Sequence, residues 1–145
     1  MTAPGTAPVK RAVDTSLAVP LLALRHDHHA AARAWARGKE LWLAGHAAVE
    51  TYSVLTRLPG SSPASPRGVA DAMDRAFLGV AALPSPIARR AHQELAAQGI
   101  AGGAVYDGLV ALAARAQGLT LATRDARAAG TYSALGVAFE LVALR

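Results

Sequence analysis

A chain of 145 residues with 52% apolar residues and 17% charged ones can bury a substantial core and is too apolar for a disordered protein. Its lack of cysteine excludes a disulfide scaffold and a thiolate zinc site. Fifteen Lys and Arg against ten Asp and Glu give a net charge of +5, which with a pI near 10.4 favours polyanionic partners.

Thirteen of the fifteen basic residues are arginine, whose fork suits phosphate, although GC-rich coding gives the same skew. Aromatic residues make up only 5%, so contact with a nucleic acid would rest on its backbone more than on base stacking. No apolar run approaches the roughly 20 residues that span a bilayer. The opening MTAPGTAPVK lacks the apolar middle of a signal peptide, so a cytoplasmic protein without membrane contact is expected.

In chain order, residues 1–8 read as a disordered tail and 9–145 as one domain. Val9 to Val13 predicts a strand, and Asp14-Thr15-Ser16 opens a helix to about Leu24. A second helix is expected from His26 to Arg37, with Asp27 as a cap, then a short strand at Leu41–Leu43 and a helix from His46 to Leu58. PGSSPASP, residues 59–66, is a loop whose Ser-Pro pair starts a helix to Arg75. Phe77 to Leu83 reads as a strand, and Ser85-Pro86 starts a helix that Gly99 stops. Ala104 to Gln117 is strongly helical. Leu119–Ala122 is a strand, Asp125–Leu135 a short helix and Val137–Val142 a last strand. Strands alternating with helices predict an α/β three-layer sandwich: a mainly parallel sheet of about five short strands with helices on both faces.

Four acids stand out. Asp14 and Asp125 follow strands, where α/β sheets gather functional groups, and each also suits a helix N-cap; both readings stay open. Glu50 shares a helix face with Ala47 and Val54, and Asp107 with Ala111 and Ala114. A carboxylate on an apolar stripe is costly to bury unless a charge pairs with it, so an arginine ion pair is the plain alternative. Gly108, in a helix interior, either admits a closely packed neighbour or marks drift at a surface. Converging carboxylates would raise one another's pKa values, a conflict that a hard divalent cation resolves. Oxygen-only ligands suit Mg²⁺ or Mn²⁺, which can activate water for phosphodiester hydrolysis.

VDTS at 13–16, AVETYSVLTRLPG at 48–60, GGAVYDGLVALAA at 102–114 and LATRDARAAGTYSALGV at 121–137 together resemble the PIN domain, and more narrowly the VapC toxins of toxin–antitoxin pairs. The resemblance covers nearly the whole chain. It implies a PIN-like fold and an Mg²⁺- or Mn²⁺-dependent endoribonuclease that inhibits growth. It also implies a homodimer, neutralised by a cognate VapB-type antitoxin that covers the acidic pocket. The family's quartet carries over to Asp14, Glu50, Asp107 and Asp125, with Asp14 and Asp107 the firmest metal ligands. Thr15, Ser16 and Thr123 would lie beside the ligands or the phosphate, and Arg124 and Arg127 would contact RNA or antitoxin. Relatives often carry a further acid shortly after the fourth. Here Arg127 and Ala128 follow instead, which points to one metal ion.

Three rival readings remain: a catalytically silent module that binds metal or a basic peptide, a phosphotransferase with Asp14 as nucleophile, and a DNA-binding protein. The second lacks the usual double Asp, and the third lacks a clear basic recognition helix. His26, His28 and His29 read as a solvated or partly packed helix start, and Trp35, Trp42 and Phe77 as core. His46 and His92 have no evident partners. The arginines at 89, 90 and 115 are further candidates for RNA or antitoxin contact, though by default most such residues are solvated surface.

Overall fold

The computed structural model describes residues 7–59 and 65–145. Most of the expected tail and most of the PGSSPASP loop therefore lie outside the described residues. The elements run β1 (Val9–Val13), α1 (Thr15–Leu22), α2 (His29–Ala36), β2 (Lys39–Ala44), α3 (Ala47–Thr56), α4 (Pro66–Ala76) and β3 (Val80–Ala81). They continue with α5 (Ser85–Ala88), α6 (Ala91–Ala97), α7 (Ala104–Ala116), β4 (Leu121–Thr123), α8 (Ala126–Ala134) and β5 (Phe139–Leu141).

All five strands join one sheet in the order β3-β2-β1-β4-β5, and every pairing is parallel. Strand alternation sorts the core into two layers. Ala12 and Leu121 point to one face, while their neighbours Val13 and Ala122 point to the other. Buried residues of α6, α7 and α8 cover the first face, and those of α1, α2 and α4 the second. α3 bridges the layers, with Ala47 in one and Leu55 in the other. Because the strands are parallel, their C-terminal ends share one edge, where Asp14, Gly45 and Arg124 follow β1, β2 and β4.

Boundaries differ from expectation where turn chemistry intervenes. α2 starts at His29, because the His28 N–H donates to His26 Nδ1 and closes a turn first, leaving Asp27 outside the helix. The expected strand at 77–83 shrinks to a pair, because only a short stretch meets the end of β2 before Pro84. The single helix expected from Ser85 divides at Arg89–Arg90. The Ser-Pro signal before α4 holds: Ser65 Oγ accepts the Gly68 N–H at 3.0 Å. Phe77 is buried, but Trp35 and Trp42 are only partly so, and Trp35 donates to Glu140.

Two glycines set how closely α7 packs. A Cβ on Gly108 would collide with the end of the Leu95 side chain on α6, so the residue admits a close neighbour rather than marking a free surface. At Gly45, φ is +48°, and an added Cβ would lie 2.7 Å from the Ala113 Cβ on α7. Leu95 can rotate away, whereas Ala113 Cβ cannot, and Gly45 also needs a left-handed backbone. Gly45→Ala is therefore expected to cost about 1–3 kcal/mol, and Gly108→Ala distinctly less, in urea unfolding. Equal midpoints for the two variants would refute this ranking.

Candidate functional site

Asp14 sits at the C-terminal end of the central strand, and only 5% of its surface is exposed. Its backbone carbonyl accepts the N–H groups of Leu17 and Ala18, so it begins α1 as a cap residue. The side chain makes no capping bond. Instead Oδ1 accepts the Ser16 hydroxyl at 2.6 Å and Oδ2 accepts the Tyr132 hydroxyl at 2.7 Å. Each oxygen keeps a second lone-pair direction for another donor or a cation.

Ser16 ties the site to β4. Its single proton goes to Asp14, so the Thr123 hydroxyl, 3.2 Å away, donates to Ser16 Oγ. Ser16 Oγ also accepts the Arg124 N–H at 2.8 Å, and Thr123 Oγ1 accepts the Asp125 N–H at 3.0 Å. Thr123 is wholly buried, and so is Thr51, whose hydroxyl lies 3.5 Å from that of Thr15.

The four acids are treated unequally. Asp125 does cap: its Oδ1 accepts the Arg127 N–H at 2.9 Å. The Arg127 guanidinium lies 3.6 Å from the same oxygen but is 95% exposed, so that pair contributes little. Asp107 is half-buried in the first turn of α7, and burial is the main force raising its carboxyl above the ordinary range. Repulsion from Asp125, Asp14 and Glu50 adds to it in that order, with Arg127 opposing. Three carboxylates from three other parts of the chain thus act on Asp107. Glu50 departs from expectation: it is exposed, and of the two apolar residues expected on its face Ala47 is fully buried while Val54 is only partly so.

The oxygen-only donor set fits a hard divalent cation in its chemistry. Among the described residues, however, no three His, Asp or Glu side chains are arranged to hold an ion together. A Mg²⁺-like ion keeps several waters and takes one or two carboxylates, so it does not require such a group.

Tyr132 is a site residue that reading the sequence missed. It is fully buried on the face of α8 shared by Ala128 and Leu135. A tyrosine on such a face needs a partner for its hydroxyl, and that signal was available. Burial and then the Asp14 charge push its phenol far above the ordinary range, so it stays a proton donor. His46, left without an evident partner, stacks on Tyr106 at 5.1 Å and joins the starts of α3 and α7 beside Glu50 and Asp107. Arg115 is no loose surface group. It donates to both Glu94 oxygens and to the Leu135 carbonyl, tying α6 to α7.

A family model for the PIN domain matches residues 11–133. "Ribonuclease VapC27" of Mycobacterium tuberculosis is 49% identical over 126 residues, covering 87% of this chain and 92% of that protein. "Ribonuclease VapC40" of the same organism is 46% identical over 136 residues, covering 90% and 98%. Among solved structures, a FitAB complex bound to an IR36 DNA fragment aligns with TM-score 0.66 at 20% identity over 90% of this chain and 93% of that one. VapBC2 from Rickettsia felis, bound to a promoter DNA fragment, aligns with TM-score 0.65 at 14% identity over 93% and 100%. At these identities the structures speak for the fold.

Tyr132→Phe removes a donor from a buried carboxylate and is expected to cost about 1.5–3 kcal/mol in urea unfolding. A midpoint equal to wild type would show the bond to be dispensable. For Asp107 the folded carboxyl binds its proton more tightly than the unfolded one. The stability linked to that proton is present below the unfolded value and lost as pH rises through the folded one. In chelator, Asp107→Asn should therefore melt above wild type at neutral pH, and the gap should close in acid. A gap independent of pH would contradict the assigned repulsion.

Proposed function

This chain belongs to the PIN domain family, and on that premise we propose that it is a divalent-metal-dependent endoribonuclease, the toxin of a toxin–antitoxin pair. The observation that carries the reading is the half-buried Asp107 within reach of the charges of Asp14, Glu50 and Asp125, beside a buried, doubly hydrogen-bonded Asp14. Without a function such a cluster only destabilises the fold. The names of the two curated relatives, both ribonucleases similar over nearly their whole length, support the same reaction class.

In this reading Asp14 and Asp107 would hold one Mg²⁺ or Mn²⁺, with Glu50 and Asp125 completing the pocket. When bound, the ion supplies Lewis acidity toward a phosphoryl oxygen and lowers the pKa of its water. Ser16 and Tyr132 fix the rotamer of Asp14, so its oxygens face the site without reorganisation. Glu50, exposed at the rim, would help to position the metal or a water. Thr15 and Thr123 hold the walls. Arg124 and Arg127 supply positive charge that the acids lack toward a polyanion.

The proposal extends to a cognate VapB-type antitoxin over the acidic site, a homodimer, one domain over residues 9–145 and a cytoplasmic setting. Among the described residues no helix is long and apolar enough to cross a membrane. The rival reading is a silent PIN-like module that binds metal or a basic peptide.

Purified wild-type protein incubated with total cellular RNA separates the two. Cleavage is expected with Mg²⁺ or Mn²⁺ and not in EDTA, and Asp14→Asn and Asp107→Asn should each lower the rate at least about a hundredfold while staying folded. Undiminished cleavage in EDTA would sink the metal mechanism. A folded, antitoxin-free wild type inert with either metal would leave the silent module standing.

A further inference from the structure

Beside the acidic site lies a cavity of about 400 Å³, lined by Ser16, Val19, Pro20, His26, Arg124 and Asp125. It shares Ser16 and Asp125 with the carboxylate cluster, so the two are contiguous. It differs from that cluster in carrying a cation, Arg124, beside the shared carboxylate of Asp125.

Arg124 is held in place by a defect in α1. Pro20, inside that helix, has no N–H, so the Ser16 carbonyl lacks its usual helical donor. Arg124 Nη1 takes that role at 3.4 Å, while the Arg124 backbone N–H is held by Ser16 Oγ. Arg11, Arg115 and Arg127 are each paired with a carboxylate. Among the described residues Arg124 has no such partner, and most of its five donors remain open. His26 is fixed as well. Its Nδ1 accepts the His28 N–H at 3.0 Å, which leaves the proton of a neutral ring on Nε2, where it can donate. Val19 and Pro20 add an apolar wall.

A guanidinium with open donors, a neutral imidazole donor and an apolar wall form a site for an anion carried on a partly apolar backbone. The size lies within the range of about 300–1,000 Å³ typical of ligand pockets. We propose that this cavity is an RNA subsite: it binds a phosphodiester next to the one at the acidic cluster, with Arg124 on the phosphate and the adjoining sugar or base against Val19 and Pro20. The inference rests on the nuclease reading and deepens it, by giving the strand a second anchor off the metal site.

The test is titration of a fluorescein-labelled, random-sequence single-stranded RNA 12-mer with the full chain in EDTA, at several salt concentrations, followed by anisotropy. Cleavage of the same RNA with Mg²⁺ is scored in parallel. Arg124→Gln should weaken binding about five- to tenfold and reduce the salt slope by about 0.7, the value for one lost single-strand phosphate contact. His26→Ala should weaken binding about threefold, as for one neutral hydrogen bond, and leave the slope unchanged. Arg124→Lys keeps the charge and should keep the slope, which separates loss of contact from loss of fold.

Variants with wild-type affinity and slope, in a protein that cleaves RNA with Mg²⁺, would overturn the subsite and leave the nuclease reading intact. The expected loss of slope in a protein that never cleaves would uphold the subsite and refute the nuclease. A wild type that neither binds nor cleaves refutes both. A glutamate hexapeptide that displaces the RNA at a lower concentration than unlabelled RNA does would assign the cavity to an acidic protein segment instead.

Discussion

The buried carboxylate of Asp14 is the constraint around which this structure is arranged. An ionised group at the end of a central strand, with almost no access to water, has to be solvated by the protein. Ser16 and Tyr132 do this, one from the first turn of α1 and one from a helix 118 positions away. The Tyr132 bond decides how α8 docks, because a buried phenol and a buried carboxylate each lose most if the other is displaced. Ser16 then fixes the end of β4 through the Arg124 N–H and Thr123. Two neighbouring strand ends and two helices therefore meet at one oxygen-rich point.

The remaining acids show how such a site is tolerated. Asp125 spends one oxygen on its own helix and sits beside Arg127, and Glu50 stays in solvent. The conflict falls on Asp107, which is half-buried and faces the fields of all three others. Its place in the first turn of α7 offsets part of that cost, since helix N-termini favour negative charge. α7 itself is locked by five consecutive buried residues from Val110 to Ala114 and by the close fit at Gly45. A rigid, apolar helix carries the strained group, as preorganisation requires.

Much of this was legible in the sequence because it follows from periodicity and strand-end position. The alternation of elements gave the parallel sheet, and Asp14, Asp107 and Asp125 could be placed by the strand or helix that bears them. Helical spacing misled at Glu50, since Ala47 and Val54 lie near its face without burying it. What escaped were long-range pairings of polar atoms: Tyr132 with Asp14, Arg115 with Glu94, and His46 on Tyr106. Such pairings depend on the packing of distant helices and leave no local period. Short-range surprises, such as the turn at His26 and the break at Arg89, arise from backbone choices of a few residues that propensity resolves poorly.

Pro20 joins the two halves of the site. A proline inside an eight-residue helix is costly, and hydrophobicity alone would be served as well by alanine. Its consequence is an orphaned carbonyl at Ser16, the residue that also solvates Asp14 and holds the backbone of Arg124. The arginine side chain answers that carbonyl. One residue therefore faces a carboxylate with its hydroxyl and a guanidinium with its backbone oxygen, and it keeps opposite charges adjacent without letting them pair. Had Arg124 turned to Asp14, the ion pair would have neutralised both groups and closed the surface between them. Kept apart, they leave an acidic cluster and an arginine-bearing cavity side by side, an arrangement suited to a polyanion bound at two successive points.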